Sequence, residues 1–106
     1  MDLSPSAHVD TFARDHLPPR DLWPVLEFTT EALHYPQRLN AAVELVDVPA
    51  QRVGEDAPAL RTPDGVTWTY GELRRRSNQV AQVLVEDLGL VPGGRVLLRS
   101  PNNPWT

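Results

Sequence analysis

Val96, Leu97 and Leu98 stand consecutively between Arg95 and Arg99, directly after a Pro92-Gly93-Gly94 turn. An unbroken apolar centre of this kind suits a strand covered on both faces, as in a parallel sheet, rather than a strand with one wet face. A parallel strand needs a parallel neighbour, and a crossover segment, usually a helix, to reach it. The next residues, Pro101-Asn102-Asn103-Pro104-Trp105, read as a strand end, an N-cap at Asn103 and a proline at the first helical position. The chain thus announces a βαβ unit that its 106 residues do not complete. Its expected class is α/β, in incomplete form.

Upstream, Ala59-Leu60-Arg61-Thr62 and Val66-Thr67-Trp68-Thr69 flank Pro63-Asp64-Gly65, which predicts a β-hairpin. Thr69 with Glu72 three positions on forms a capping box, so a helix is expected to begin at Tyr70. Leu73, Ser77, Val80, Ala81, Leu84, Val85 and Leu88 recur at three- and four-residue steps and predict one buried face. Gly89, with Pro92 behind it, marks the stop.

A shorter helix is expected from Asn40 to about Val48, capped by Asn40, carrying Ala42, Val43, Leu45 and Val46 on its apolar side and ending before Pro49. Residues 49–58 read as linker and loop. Residues 1–39 form an extended, proline-rich N-terminal arm, followed by a domain that begins at residue 40 and runs to 106. The arm holds Pro5, Pro18, Pro19, Pro24 and Pro36 among Phe12, Leu17, Leu22, Trp23, Val25, Leu26, Phe28, Leu33 and Tyr35. A disordered tail lacks so many large apolar groups, so the arm is expected to lie against another surface.

Composition narrows the chemistry. There is no cysteine, which removes disulfides, thiolate metal sites and a thiol nucleophile. All ten basic residues are arginine, so no step that needs a lysine ammonium can occur on this chain. A net charge of −4 argues against nucleic-acid and anionic-membrane partners. Neither a signal peptide nor a membrane span is readable near Met1–His8, and a cytoplasmic location is the expectation.

Candidate sites each have a plainer explanation. Gly93 and Gly94 precede a strand, whereas a phosphate cradle follows one, so they read as a turn. Arg74, Arg75 and Arg76 form the basic cluster, and Arg75 and Arg76, three and four residues after Glu72, read as a solvated face with ordinary ion pairs. His8, His16 and His34 with Asp10, Asp15 and Asp21 lack metal-ligand spacing. Ser4, Ser6, Ser77 and Ser100 lack the flanking glycines of a nucleophile elbow. Asn102 and Asn103 lie beyond a strand's carboxyl end, where α/β sheets bind ligands, yet a turn and a helix cap account for them. The expected catalytic, cofactor-binding and metal residues are therefore none.

The run Thr67-Trp68-Thr69-Tyr70-Gly71-Glu72-Leu73, with Asn78 and Ala81, then Gly93-Gly94-Arg95-Val96 and Pro101-Asn102-Asn103-Pro104, resembles the opening of the AMP-forming adenylating enzymes, the acyl-CoA synthetases and their kin. The arm, His8-Val9-Asp10-Thr11-Phe12-Ala13-Arg14-Asp15-His16-Leu17-Pro18-Pro19 with Tyr35-Pro36 and Leu39-Asn40, is similar to the start of benzoate- and 2-aminobenzoate-CoA ligases. The resemblance implies the incomplete N-terminal portion of an adenylating-enzyme large domain: extended arm, short helix, β-hairpin, long helix and buried strand. It implies a ligase reaction in which ATP and an aromatic carboxylate give an acyl-adenylate and pyrophosphate, and coenzyme A then displaces AMP, with Mg2+ required. The family's catalytic segments, including its lysines, match no position of this chain. The expectation is an inactive fragment that binds no cofactor itself and whose partner is the remainder of the ligase. The alternative is a small non-catalytic interaction module derived from this fold, joining a partner through its strand edge.

Overall fold

The computed structural model describes residues 5–106. Residues up to Leu39 with Val91–Arg95 form one compact unit, and Asn40–Leu90 with Val96–Thr106 form a second.

In the first unit, Asp10 Oδ1 accepts the Phe12 amide at 2.9 Å and starts helix α1, Phe12–Asp15. Single 3-10 turns follow at Arg20–Leu22, confined between Pro19 and Pro24, and at Glu31–Leu33. Val91–Gly94 closes as a tight turn, with the Gly94 amide donating to the Val91 carbonyl at 2.9 Å. The Pro92 carbonyl accepts the amides of Val9 at 2.8 Å and Asp10 at 3.0 Å. Gly93 has φ +89°, and a Cβ there would lie 2.1 Å from the Asp10 carbonyl oxygen, so only glycine fits between turn and arm. Arg95 completes the joint, its guanidinium 3.9 Å from the Phe12 ring centroid and 3.9 Å from Asp10 Oδ2.

The second unit opens as its residues predict. Asn40 Oδ1 accepts the amides of Ala42 at 3.0 Å and Val43 at 3.3 Å, a side-chain N-cap. The helix then departs from expectation, because it passes Pro49 instead of stopping before it. A π-helical turn at Val43–Asp47 runs directly into α2, Val48–Val53. Proline has no amide hydrogen and its ring clashes with the carbonyl four residues back. The wide turn, in which the Val48 amide reaches the Val43 carbonyl, loosens the ladder just ahead of the ring. Gly54, at φ +98° and ψ +147°, ends the helix in a region essentially restricted to glycine. The expected linker over 49–58 therefore shrinks to the few residues between Gly54 and β1.

The hairpin forms where the sequence places it. Strand β1, Pro58–Arg61, pairs antiparallel with β2, Thr67–Thr69, with Leu60 opposite Trp68 and Arg61 opposite Thr67. The Gly65 amide donates to the Thr62 carbonyl at 3.0 Å and the Thr62 amide to the Val66 carbonyl at 2.9 Å, which closes the turn. Helix α3, Tyr70–Gln82, starts on the capping box: the Glu72 amide donates to Thr69 Oγ1 at 3.2 Å, and the Thr69 amide to Glu72 Oε2 at 3.0 Å. A second π-helical turn, Val83–Asp87, extends α3, and the Leu90 amide returns to the Leu84 carbonyl at 2.8 Å around Gly89.

Two packing expectations are overturned. Residues 95–100 are not a buried strand: among the described residues the only sheet is the pair β1-β2, and Leu97 is 92% exposed. An extended segment becomes a strand only by pairing, and among the described residues nothing pairs with this one. The apolar side of α3 is likewise not a buried face, since Val80, Val85 and Leu88 are exposed. A two-stranded hairpin is too narrow to cover a helix of this length. Among the described residues only Ala50 and Trp68 are buried hydrophobics, so the core sits where α2, the hairpin and the start of α3 meet. No described helix is long and apolar enough to cross a membrane.

Candidate functional site

The uncovered side of α3 makes one wall of a cleft of about 410 Å3. Leu73, Arg76, Val80 and Leu84 project from the helix, and Leu60 and Trp68 face them from the hairpin. Alternation along β2 turns Trp68 toward the helix while Thr67 stays exposed. The far rim is Trp105, held by a turn in which Asn103 Oδ1 accepts the Trp105 amide at 2.9 Å and the Asn103 carbonyl accepts the Thr106 amide at 3.0 Å. Asn103 thus caps as its position predicts. What it caps here is the single turn Asn103 to Thr106.

Arg76 is the polar centre of this cleft. Its guanidinium carbon lies 4.3 Å from the Trp68 ring centroid and 4.7 Å from that of Trp105. The two indoles meet edge to face, with centroids 4.9 Å apart and planes at 86°. Arg76 Nε is buried and has no hydrogen-bond acceptor. The solvated face expected for Arg76 is corrected: the side chain lies against Trp68 and Trp105. The signal was present: Arg76 stands three residues after Leu73 and four before Val80, on the apolar stripe itself.

The rest of the arginine cluster diverges. Arg74 pairs with Glu55 at 2.5 Å, while the Glu72 carboxylate is taken by the Thr69 amide. The expected pairing of Glu72 with Arg75 and Arg76 is thereby corrected: a capping carboxylate turns back toward the helix start, away from the following turn.

The other candidate residues stay apart. Among the described residues no group of three or more His, Cys, Asp or Glu side chains could hold a metal ion. His16 stacks on Phe12 with centroids 3.9 Å apart, and His34 Nε2 lies 2.8 Å from the Phe28 carbonyl oxygen. Ser4 lies outside the described residues. Ser6 Oγ accepts the His8 amide at 3.4 Å, Ser77 lines the Arg76 cleft, and Ser100 Oγ lies 2.7 Å from Thr106 Oγ1. Asn102 and Asn103 border a separate recess of about 270 Å3 with Thr62, Pro63, Asp64 and Val66. There the Thr62 hydroxyl donates to Asp64 Oδ1, and this bond, with help from the backbone amides of Asp64 and Val66, holds the Asp64 carboxyl below its ordinary value.

Both the Val91–Gly94 turn and the start of α3 are occupied by the chain itself. The space beside Gly93 is filled by Asp10 and His8. At the start of α3 the Tyr70 amide donates to the Ala57 carbonyl at 3.0 Å, the Gly71 amide to the Glu55 carbonyl at 2.9 Å, and the Glu72 amide to Thr69. The helix amides that would face an anion are already bonded.

The model of the AMP-binding enzyme family matches residues 46–106, more than half of the chain, from the end of the first π-helical turn through the hairpin and α3 to the Trp105 turn. The chain belongs to the AMP-binding enzyme family, within the adenylating superfamily. Surfactin synthase subunit 1 of Bacillus subtilis (strain 168) is 43% identical over 53 residues, which cover 50% of this chain. The chain spans about 1% of the length of that curated relative. No solved structure matches it.

Proposed function

We propose that this chain is the N-terminal part of an AMP-forming aryl-CoA ligase, cytoplasmic, and that alone it catalyses no step of the reaction. The complete enzyme would join an aromatic carboxylate to coenzyme A through an acyl-adenylate, using ATP and Mg2+. The observation that carries this reading is the family match over residues 46–106, in a chain with no lysine and with the helix-start amides of α3 already bonded. Membership supports an adenylating reaction class, and the lack of lysine in this segment fits a scaffolding part within it. The arm outside the matched residues supports the aryl-CoA branch by its resemblance alone. The uncovered side of α3 and the exposed Val96-Leu97-Leu98 run fit a partner supplied by the rest of such a ligase.

Two measurements test this. The purified chain with ATP, Mg2+ and benzoate or 2-aminobenzoate should release no pyrophosphate above an ATP-only control, and release would overturn its inactivity. The reading frame after the codon for Thr106 should encode a Ser/Thr/Gly-rich loop closed by lysine. An immediate stop codon would favour the interaction module instead.

A further inference from the structure

Asp64-Gly65 is the one place in the sequence where an aspartate or asparagine is followed by glycine. At such a step the glycine nitrogen can attack the side-chain carboxyl, because glycine brings no side chain to hinder the approach. Both residues are exposed at the hairpin tip, and a Cβ built on Gly65 would meet nothing within 4 Å. The tip nevertheless holds both reacting groups back. The Gly65 nitrogen donates its hydrogen to the Thr62 carbonyl at 3.0 Å. The Asp64 carboxylate accepts from the Thr62 hydroxyl, and that hydroxyl is itself fixed by the Val66 amide, which donates to it at 3.1 Å. The same hydroxyl is the main cause that holds the Asp64 carboxyl below its ordinary value, so the group stays ionised and lacks the protonated oxygen that must leave. Every one of these bonds lies within residues 62–66, so the restraint belongs to the hairpin whatever packs over it.

We propose that Asp64-Gly65 is a latent isoaspartate site, and that the Thr62 side chain is the latch that keeps it closed in the folded hairpin. With the latch open, the Gly65 nitrogen bonds to Asp64 Cγ and a Cγ–O bond breaks. The oxygen leaves as water, carrying the amide hydrogen and one proton from solvent. Water then opens the cyclic imide at either carbonyl. Opening at Cγ restores aspartate, whereas opening at the Asp64 main-chain carbonyl leaves the chain running through Cγ, one carbon longer and unchanged in mass. That extra carbon falls inside the turn closed by the Thr62–Gly65 and Thr62–Val66 bonds and displaces them.

The test incubates the whole chain at neutral pH, folded and in urea, and quantifies isoaspartate in the tryptic peptide 62–74, where it resists an aspartate-specific protease. In urea isoaspartate should accumulate at Asp64. In the folded chain it should form at least about tenfold more slowly, the ratio that one charge-assisted hydrogen bond supplies. Thr62→Val should remove most of that protection, and Thr62→Ser should keep it. Thr69→Ala weakens the start of α3 without touching the tip, and should isomerise more slowly than Thr62→Val, which separates loss of the hydroxyl from general destabilisation. No isoaspartate at Asp64 in urea overturns the inference, as do equal rates in the folded and urea-treated parent. So do a folded Thr62→Val chain as resistant as the parent, a Thr62→Ser chain that reacts at the urea rate, or equal rates in Thr69→Ala and Thr62→Val.

Discussion

Replacing Gly93 by alanine should detach residues 8–10 from the Val91–Gly94 turn. The new Cβ would stand 2.1 Å from the Asp10 carbonyl oxygen and 2.8 Å from His8 Cβ, distances no pair of such atoms sustains. Backbone must move, and the groups nearest to moving are the Val9 and Asp10 amides on the Pro92 carbonyl. Two backbone hydrogen bonds at about 0.5–1.5 kcal/mol each, together with about 1–2 kcal/mol for an alanine at positive φ, amount to a loss of about 2–5 kcal/mol. Gly65→Ala supplies the control: its φ of +91° is close to the +89° of Gly93, and its Cβ would meet nothing within 4 Å. It should cost only the conformational share, about 1–2 kcal/mol. Amide hydrogen exchange followed by NMR reads the difference. In Gly93→Ala the Val9 and Asp10 amides should exchange at least about tenfold faster, since about 1.4 kcal/mol corresponds to that ratio. In Gly65→Ala they should exchange as in the parent. Unchanged protection of both amides in Gly93→Ala would refute the claim that glycine is required there by the contact.

Further outcomes follow from the hairpin and its cap. Thr69→Ala removes the acceptor of the Glu72 amide and should lower stability by about 1 kcal/mol in a thermal or urea melt. Thr69→Ser should recover most of that loss. Asp64 has its folded-state pKa below the ordinary 3.8, so its contribution to the hairpin is fully present above the ordinary value and is lost as pH falls through the lowered one. A carboxyl titration by NMR should show Asp64 protonating at lower pH than an unstructured aspartate, and Thr62→Val should return it toward the ordinary value. An unchanged titration in Thr62→Val would place the cause elsewhere.

Features encoded within a few residues were legible in advance. The hairpin needs only Pro63-Asp64-Gly65 and its flanks, and the capping box needs only Thr69 and Glu72. Asn40 and Asn103 each cap through bonds reaching no further than the next turn. The structure departs from expectation where distant residues decide. Whether 95–100 becomes a strand depends on a neighbour, not on Val96, Leu97 and Leu98. Pro49 signals a stop only if the turn before it keeps α-helical width, and Val43–Asp47 does not. Glu55 and Arg74 are nineteen positions apart, beyond any local pairing rule. The Arg76 cluster needs Trp105 brought back by a turn around Asn103, so stripe periodicity could mark Arg76 as anomalous without naming its partners.

The Pro92 carbonyl also separates the order of synthesis from the order of assembly. The amides of Val9 and Asp10 leave the ribosome early, and their acceptor is made only after the hairpin and α3 have been translated. Hairpin and helix contacts close short loops and form fast, whereas this one spans most of the chain. Through most of translation Phe12 also lacks the Arg95 that later stacks on it. Val9 and Asp10 are therefore expected to settle after the hairpin and α3 that follow them in the chain.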